Sequence, residues 1–217
     1  MILVTGHLQL RPGDIDRLGQ ALADQVAAAC AFDGCFHYAL ARDIGAPDRL
    51  RIAERWRDRA AHAAHLIGDH MAEFNIAMRA ARVSSGELDA YDGGTIRKIL
   101  ELPAVRFRPE REDKSMVIVM GHARFSAGEI DRLKPEMEAQ LNATRAENGC
   151  ELYVFARDVL DPDLLHISER WRDNAAIAAH FASPHMAAFN NALATARIEE
   201  LSVKAYDADG ERVLMRR

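Results

Sequence analysis

The chain has 217 residues, 49% hydrophobic and 28% charged, with a formal net charge of −5. Charges of both signs are interspersed, with no basic stripe for nucleic acid and no apolar run near the ~20 residues of a membrane span. Three cysteines without a CxxC pair argue against a disulfide framework or zinc knuckle and fit a reducing cytoplasm.

The N-terminal stretch Ile2 to Leu10 reads as a short apolar strand, not a signal peptide. After Pro12-Gly13, Ile15, Leu18, Leu22 and Val26 fall on one face of a helix. Phe32-Asp33-Gly34 is a turn. Cys35 to Asp43 and Leu50 to Asp58 read as a hairpin, with Pro47-Asp48 in the connection. Asp58 is placed to cap an alanine-rich helix carrying His62 and His65. A second helical piece starts at Gly68-Asp69, and a last strand ends at Tyr91. The order is β-α-β-β-α-β with a broken second helix, the ferredoxin-like arrangement of an antiparallel sheet with helices on one face, an α+β class.

The same order then recurs. Gly6-His7 returns as Gly121-His122, Gly34-Cys35 as Gly149-Cys150, and Tyr91-Asp92 as Tyr206-Asp207, always 115 positions later (121 − 6). A repeat this long marks two whole domains rather than solenoid units. They are expected over residues 1–93 and 116–217, with a connector over 94–115. Gly93-Gly94 should end the first copy. Val105 and Phe107 alternate with Arg106 and Arg108 as in a short edge strand. Ser183-Pro184 in the second copy has the form of an N-cap followed by proline at the first helical position.

Both faces of several strands are apolar: Ile2, Val4 and Leu8 on one side of strand one, Leu3 on the other. Helices cover only one face, so the two sheets are expected to face each other as an intrachain pseudo-dimer. A chain cut in the connector should then give fragments that stay associated. Fragments that elute as separate soluble monomers at micromolar concentration would remove that expectation. A further homodimer is left open.

Several residues carry chemical potential. Glu54 and Trp56 share strand parity with Leu50 and Ile52, as Glu169 and Trp171 do with Leu165 and Ile167. A carboxylate on an apolar face is costly unless paired or beside a cavity. Glu54 and Glu169 are candidates to orient or deprotonate a phenolic hydroxyl, with Trp56 and Trp171 as stacking surfaces. The alternative is a buried Glu paired with Arg or backbone N–H groups, beside a core Trp. His65 and His180 are the paired helical histidines. His62 faces Ile177 in the overlay and is read as a surface residue. His70 and His185 lie near the next helix start, where the dipole disfavours imidazolium. Five residues from His65 to His70 across a helix break do not match a metal pair on one helical face, so no metal site is expected. His7 and His122 line a cavity or cap a sheet edge.

G-H on strand one, G-C-x-x-Y before strand two, E-R-W-x-D ending strand three, then A-x-x-H and S-P-H-M-x-x-F-N resemble the antibiotic biosynthesis monooxygenase family of dimeric α+β barrels. The resemblance covers nearly all of both copies. It implies a cofactor-independent monooxygenase acting with O2 on a small electron-rich aromatic such as a quinol, an anthrone or a polyketide-like phenol. Other members degrade haem, and Asn75 and Asn190 stand near where that branch places a helical His. On this reading His65, His180, Glu54 and Glu169 are the catalytic candidates. Trp56, Trp171, His70, His185, Asn75, Asn190, Tyr38 and Tyr153 would contact substrate. No cofactor is expected, since GxGxxG, P-loop, CxxCH and HExxH are all missing from the sequence. A non-catalytic small-ligand binder and a haem-binding protein are the rival readings.

Overall fold

A computed structural model describes residues 1–101, 104–105 and 115–216. The chain divides into two compact units. The first comprises Met1–Gly93, Asp158–Leu160 and Gly210–Arg217; the second comprises Gly94–Arg157 and Asp161–Asp209.

In the first unit, β1 (Ile2–Gln9) lies between β3 (Arg49–Trp56) and β4 (Ser85–Glu101), and β2 (Cys35–Asp43) flanks β3. All these pairings are antiparallel. In the second unit, β6 (Met116–Phe125) lies between β8 (Leu164–Trp171) and β9 (Ile198–Arg216), with β7 (Cys150–Asp158) beyond β8. Each unit is thus ferredoxin-like. Its helices are α1 (Asp14–Arg17), α2 (Gly19–Cys30), α3 (Arg59–Leu66) and α4 (Asp69–Ala80) in the first unit. The second has α5 (Glu129–Arg132), α6 (Lys134–Arg145), α7 (Asn174–Phe181) and α8 (Pro184–Leu193).

The expected first helix is two pieces that meet at Leu18, where ψ is near zero. Leu18 and Leu22 still face the core of the unit. The caps read from sequence are formed. Asp58 and Asp173 each accept a hydrogen bond from a backbone N–H, Ala61 and Ala176, at 2.8 Å. Ser183 accepts one from Met186 N–H at 3.2 Å, with Pro184 in the first turn.

The last strands run further than their sequence suggested. β4 continues through Gly93-Gly94 to Glu101, and β9 continues past Tyr206 to Arg216. Neither Gly93 nor Gly94 takes a positive φ, so the pair permits a turn without imposing one. A two-residue strand, β5 (Ala104–Val105), pairs with the end of β4, and the rest of the expected alternation, Arg106 to Arg108, lies outside the described residues.

Two glycine positions explain repeated motifs. Gly34 and Gly149 sit at φ +83° and +92°, and a Cβ there would come within 2.6 Å of the Cβ of Ala61 or Ala176. Gly6 and Gly121 are needed for close approach: a Cβ would lie 2.1 Å from Glu87 O and 2.4 Å from Ser202 O. Those contacts are with backbone of the neighbouring strand and cannot rotate away. Gly6→Ala should therefore lower the midpoint of denaturant unfolding with at most a small change in slope. A wild-type midpoint would show that the strands separate freely at this point.

Candidate functional site

The third strand of each unit presents Glu and Trp on the same side, two residues apart, as its alternation requires. The indole N–H of Trp56 donates to Glu54 Oε2 at 2.7 Å, and that of Trp171 donates to Glu169 Oε2 at 2.8 Å. Both tryptophans are fully buried and both glutamates nearly so. Burial opposes ionisation, and the indole N–H only partly offsets it, so each carboxyl is pushed up to about 7. These carboxyls bind protons more tightly folded than unfolded. Their contribution to stability is full below about 4.5 and is lost as pH rises through about 7. Glu169→Gln should thus gain stability over the parent at pH 8 and change little at pH 4. Thermal melts at the two pH values test this, and an equal shift at both would refute it.

His65 and His180 sit in the last turns of α3 and α7, over the indole rings, with ring centroids 4.5 and 4.8 Å from Trp56 and Trp171. Burial lowers both imidazoles to about 4, assisted by the neighbouring histidines, so both are neutral at pH 7. Tyr38 and Tyr153 lie beside them, at 5.5 and 5.3 Å between centroids, and burial raises both phenols well above their usual range. Gln25 donates to Tyr38 Oη at 3.0 Å, and Gln140 to Tyr153 Oη at 3.5 Å. These glutamines are a repeated pair of polar residues on the apolar faces of α2 and α6. Their recurrence 115 positions apart (140 − 25) is the signal in the sequence that marks them.

His62 corrects an expectation. It is buried, with Nε2 3.7 Å from Glu54 Oε2, and burial lowers it to about 4. Its counterpart Ile177 is fully buried too, so an apolar residue at the matching place pointed to the interior. The helix break corrects a second one. Spacing five residues apart places ring nitrogens together after all, His70 Nε2 lying 2.9 Å from His65 Nδ1. In the second unit a carboxylate enters between the two rings. Glu147 Oε2 is 2.9 Å from His180 Nδ1, and its Oε1 is 2.9 Å from His185 Nε2. The first unit has Phe32 at that place, packed edge-on to His65. Asn75 is exposed on α4, whereas Asn190 faces the site of its unit. His122 pairs with Glu200 at 3.0 Å, and His7 lies in an open hollow with Glu87 and Arg216.

The second unit contains a cavity of about 80 Å³. Its wall is chiefly apolar, with Phe125, Phe155, Phe189 and Leu193. Tyr153, Glu169, His180 and Asn190 supply the polar points. Corresponding positions of the first unit, among them Leu10, Leu40, Phe74 and Met78, belong to one packed core that Met215 and Val159 also join. Met215 covers Gly86, which stands where the second unit has Leu201. Glu54, Trp56, Tyr38 and His65 are brought together as their counterparts are.

The second unit thus joins the ferredoxin-like α+β fold to an apolar cavity with a few polar points on its wall. The family profile for antibiotic biosynthesis monooxygenases matches residues 1–76 and again 116–192, and the chain belongs to that family. No curated protein matches the sequence. Among solved structures, an aldoxime dehydratase aligns over 96% of this chain and 82% of its own, at 14% identity and a TM-score of 0.58, a likeness of fold alone. A Deinococcus radiodurans protein provisionally named an antibiotic biosynthesis monooxygenase is 25% identical. It covers 46% of this chain and 100% of its own, with a TM-score of 0.44. A Lactobacillus acidophilus protein provisionally named a monooxygenase covers 100% of this chain and 97% of its own, at 12% identity and a TM-score of 0.44. No helix among the described residues is long and apolar enough to cross a membrane.

Proposed function

We propose that the chain is a cofactor-independent monooxygenase that oxidises a small electron-rich phenol or quinol with O2, and that the second unit carries the reaction. The observation that supports this most is one cavity wall holding an otherwise apolar surface, a carboxyl poised near 7 and a neutral imidazole. A general base works best when its pKa lies near the operating pH. Glu169 meets that condition and takes the hydroxyl proton. His180 holds the substrate oxygen through an Nε2–H donor, in the tautomer whose Nδ1 accepts from the Glu147 carboxyl. The phenolate then reduces O2. One oxygen atom enters the ring as a carbonyl, and the other leaves as water with the displaced hydrogens. The apolar wall keeps bulk water from the intermediates.

Cavity volume bears on substrate size. A cavity of about 150 Å³ lined by apolar side chains takes up benzene. The present 80 Å³ accepts one ring only as flexible side chains such as Met186 give way. A single-ring quinol or phenol is favoured over an anthrone, and haem is disfavoured. The binder reading predicts a cavity without ionisable groups on its wall, which Glu169 and His180 oppose.

The test is oxygen uptake by chelator-treated protein with hydroquinones, naphthoquinols and anthrones. Uptake above the autoxidation blank with single-ring substrates, lost in His180→Ala and largely kept in His65→Ala, is expected. Binding of these compounds without uptake would instead favour the ligand-binding protein.

A further inference from the structure

We propose that Glu147, His180 and His185 form a binding site for one divalent cation of the zinc class, present in the second unit and missing its carboxylate in the first. The three side chains come from the turn before β7, the last turn of α7 and the first turn of α8. One ligand atom from each lies within 4.8 Å of the others. Zinc binds imidazole nitrogen and carboxylate oxygen at about 2.0–2.2 Å. Ligand atoms at tetrahedral angles around one ion stand ~3.4 Å apart. Glu147 Oε2 lies 2.9 Å from His180 Nδ1 and Glu147 Oε1 lies 2.9 Å from His185 Nε2, so a small outward shift of each pair admits the ion. Two imidazoles and one carboxylate are a recurring three-ligand set for zinc, with a further position left open.

The surroundings suit an ion. His180 is buried and neutral, as a ligand imidazole must be. Its ring is fixed against Trp171 and Tyr153. Glu147 and His185 are partly exposed, which gives an entry path. Ser183 Oγ, which caps α8, lies 3.1 Å from His185 Nε2, the nitrogen that the ion takes over. Burial of the Glu147 carboxyl raises its pKa, an unfavourable state that a cation relieves. In the first unit His65 and His70 keep the same 2.9 Å approach, but Phe32 supplies no ligand. The chain therefore carries its own control.

The ion displaces the proton shared between Glu147 and His180 Nδ1, and that proton passes to solvent, while the neutral ring keeps its own proton on Nε2.

Binding is measured without reference to turnover, so the two readings fail separately. Full-length protein stripped with a chelator is titrated with Zn2+ in competition with a chromophoric chelator, and with Co2+ followed by its absorbance. One ion per chain is expected. Glu147→Gln and His185→Ala should each weaken Zn2+ at least ~100-fold, since even outer-shell changes cost 10–100-fold. Tryptophan fluorescence checks that each variant is folded. Phe32→Glu should raise the count to two ions per chain. Absence of binding, binding unchanged in Glu147→Gln, or a count still at one in folded Phe32→Glu would each overturn the assignment.

Discussion

Glu169→Gln should lower kcat on a quinol substrate by about 10²- to 10⁴-fold, the range that positioned general-base catalysis contributes. Glutamine keeps the acceptor for Trp171 Nε1 at the same place, so packing is preserved while the proton acceptor is lost. On the proposed mechanism the parent protein should show a kcat/KM that rises with pH through about 7, because the carboxyl of Glu169 must be ionised to take the proton. The variant should lose that limb. His180 does not produce a limb in this range, being neutral well above its lowered value of about 4. Glu54 is the internal comparison. It has the same indole partner and is also pushed to about 7, yet its unit has Phe32 where Glu147 engages His180 in the second. Glu54→Gln should leave kcat within about threefold of the parent, against a tenfold change for each 1.4 kcal/mol of lost transition-state stabilisation. A pH limb that survives in Glu169→Gln, or equal losses in the two variants, would show that the base lies elsewhere.

Much of this arrangement could be read before any coordinates. The repeat gave two ferredoxin-like units, since elements recur at one offset and each copy has its own capping residues. Strand parity alone put Glu54 beside Trp56 and Glu169 beside Trp171. What escaped has physical causes. Matching the copies selects residues that both share, and it discards Glu147 because Phe32 occupies the other copy. The site's asymmetry is therefore invisible to the comparison that found the site. At His62 the apolar counterpart Ile177 is a better guide to burial than the polarity of the side chain itself, since both occupy buried helix positions. Helical spacing described contacts along one helix and said nothing about a chain that turns between two, as it does from His65 to His70 and from His180 to His185. Strand ends were missed at Gly93-Gly94 because glycine tolerates extended backbone as readily as a turn.

The second large effect concerns stability rather than chemistry. Asp43 and Arg51 form a buried ion pair in the first unit, Arg51 Nε and one Nη each lying 2.7 Å from Asp43 Oδ2. The other carboxylate oxygen accepts from Gly45 N–H at 2.8 Å and Ala46 N–H at 3.1 Å, which ties down the connection to β3. Arg51→Met should cost roughly 3–5 kcal/mol, because it leaves the carboxylate buried without its cation. Asp43→Asn combined with Arg51→Met should cost less than Arg51→Met alone, since the uncompensated charge is gone and Asn still offers an oxygen to the two backbone donors. The second copy carries His166 where the first has Arg51, so the effect belongs to one unit. The two tryptophans allow this to be seen, one being buried in each unit. In a Trp171→Phe background the fluorescence of Trp56 reports the first unit, and in Trp56→Phe that of Trp171 reports the second. Urea unfolding followed by Trp56 should shift strongly with Arg51→Met. If the Trp171 transition moves by the same amount, the units unfold as one cooperative body; if it stays, each unit is its own folding unit. A shift below about 1 kcal/mol in the Trp56 transition would mean that water reaches Asp43 once the guanidinium is removed, and that the pair contributes as a surface pair does.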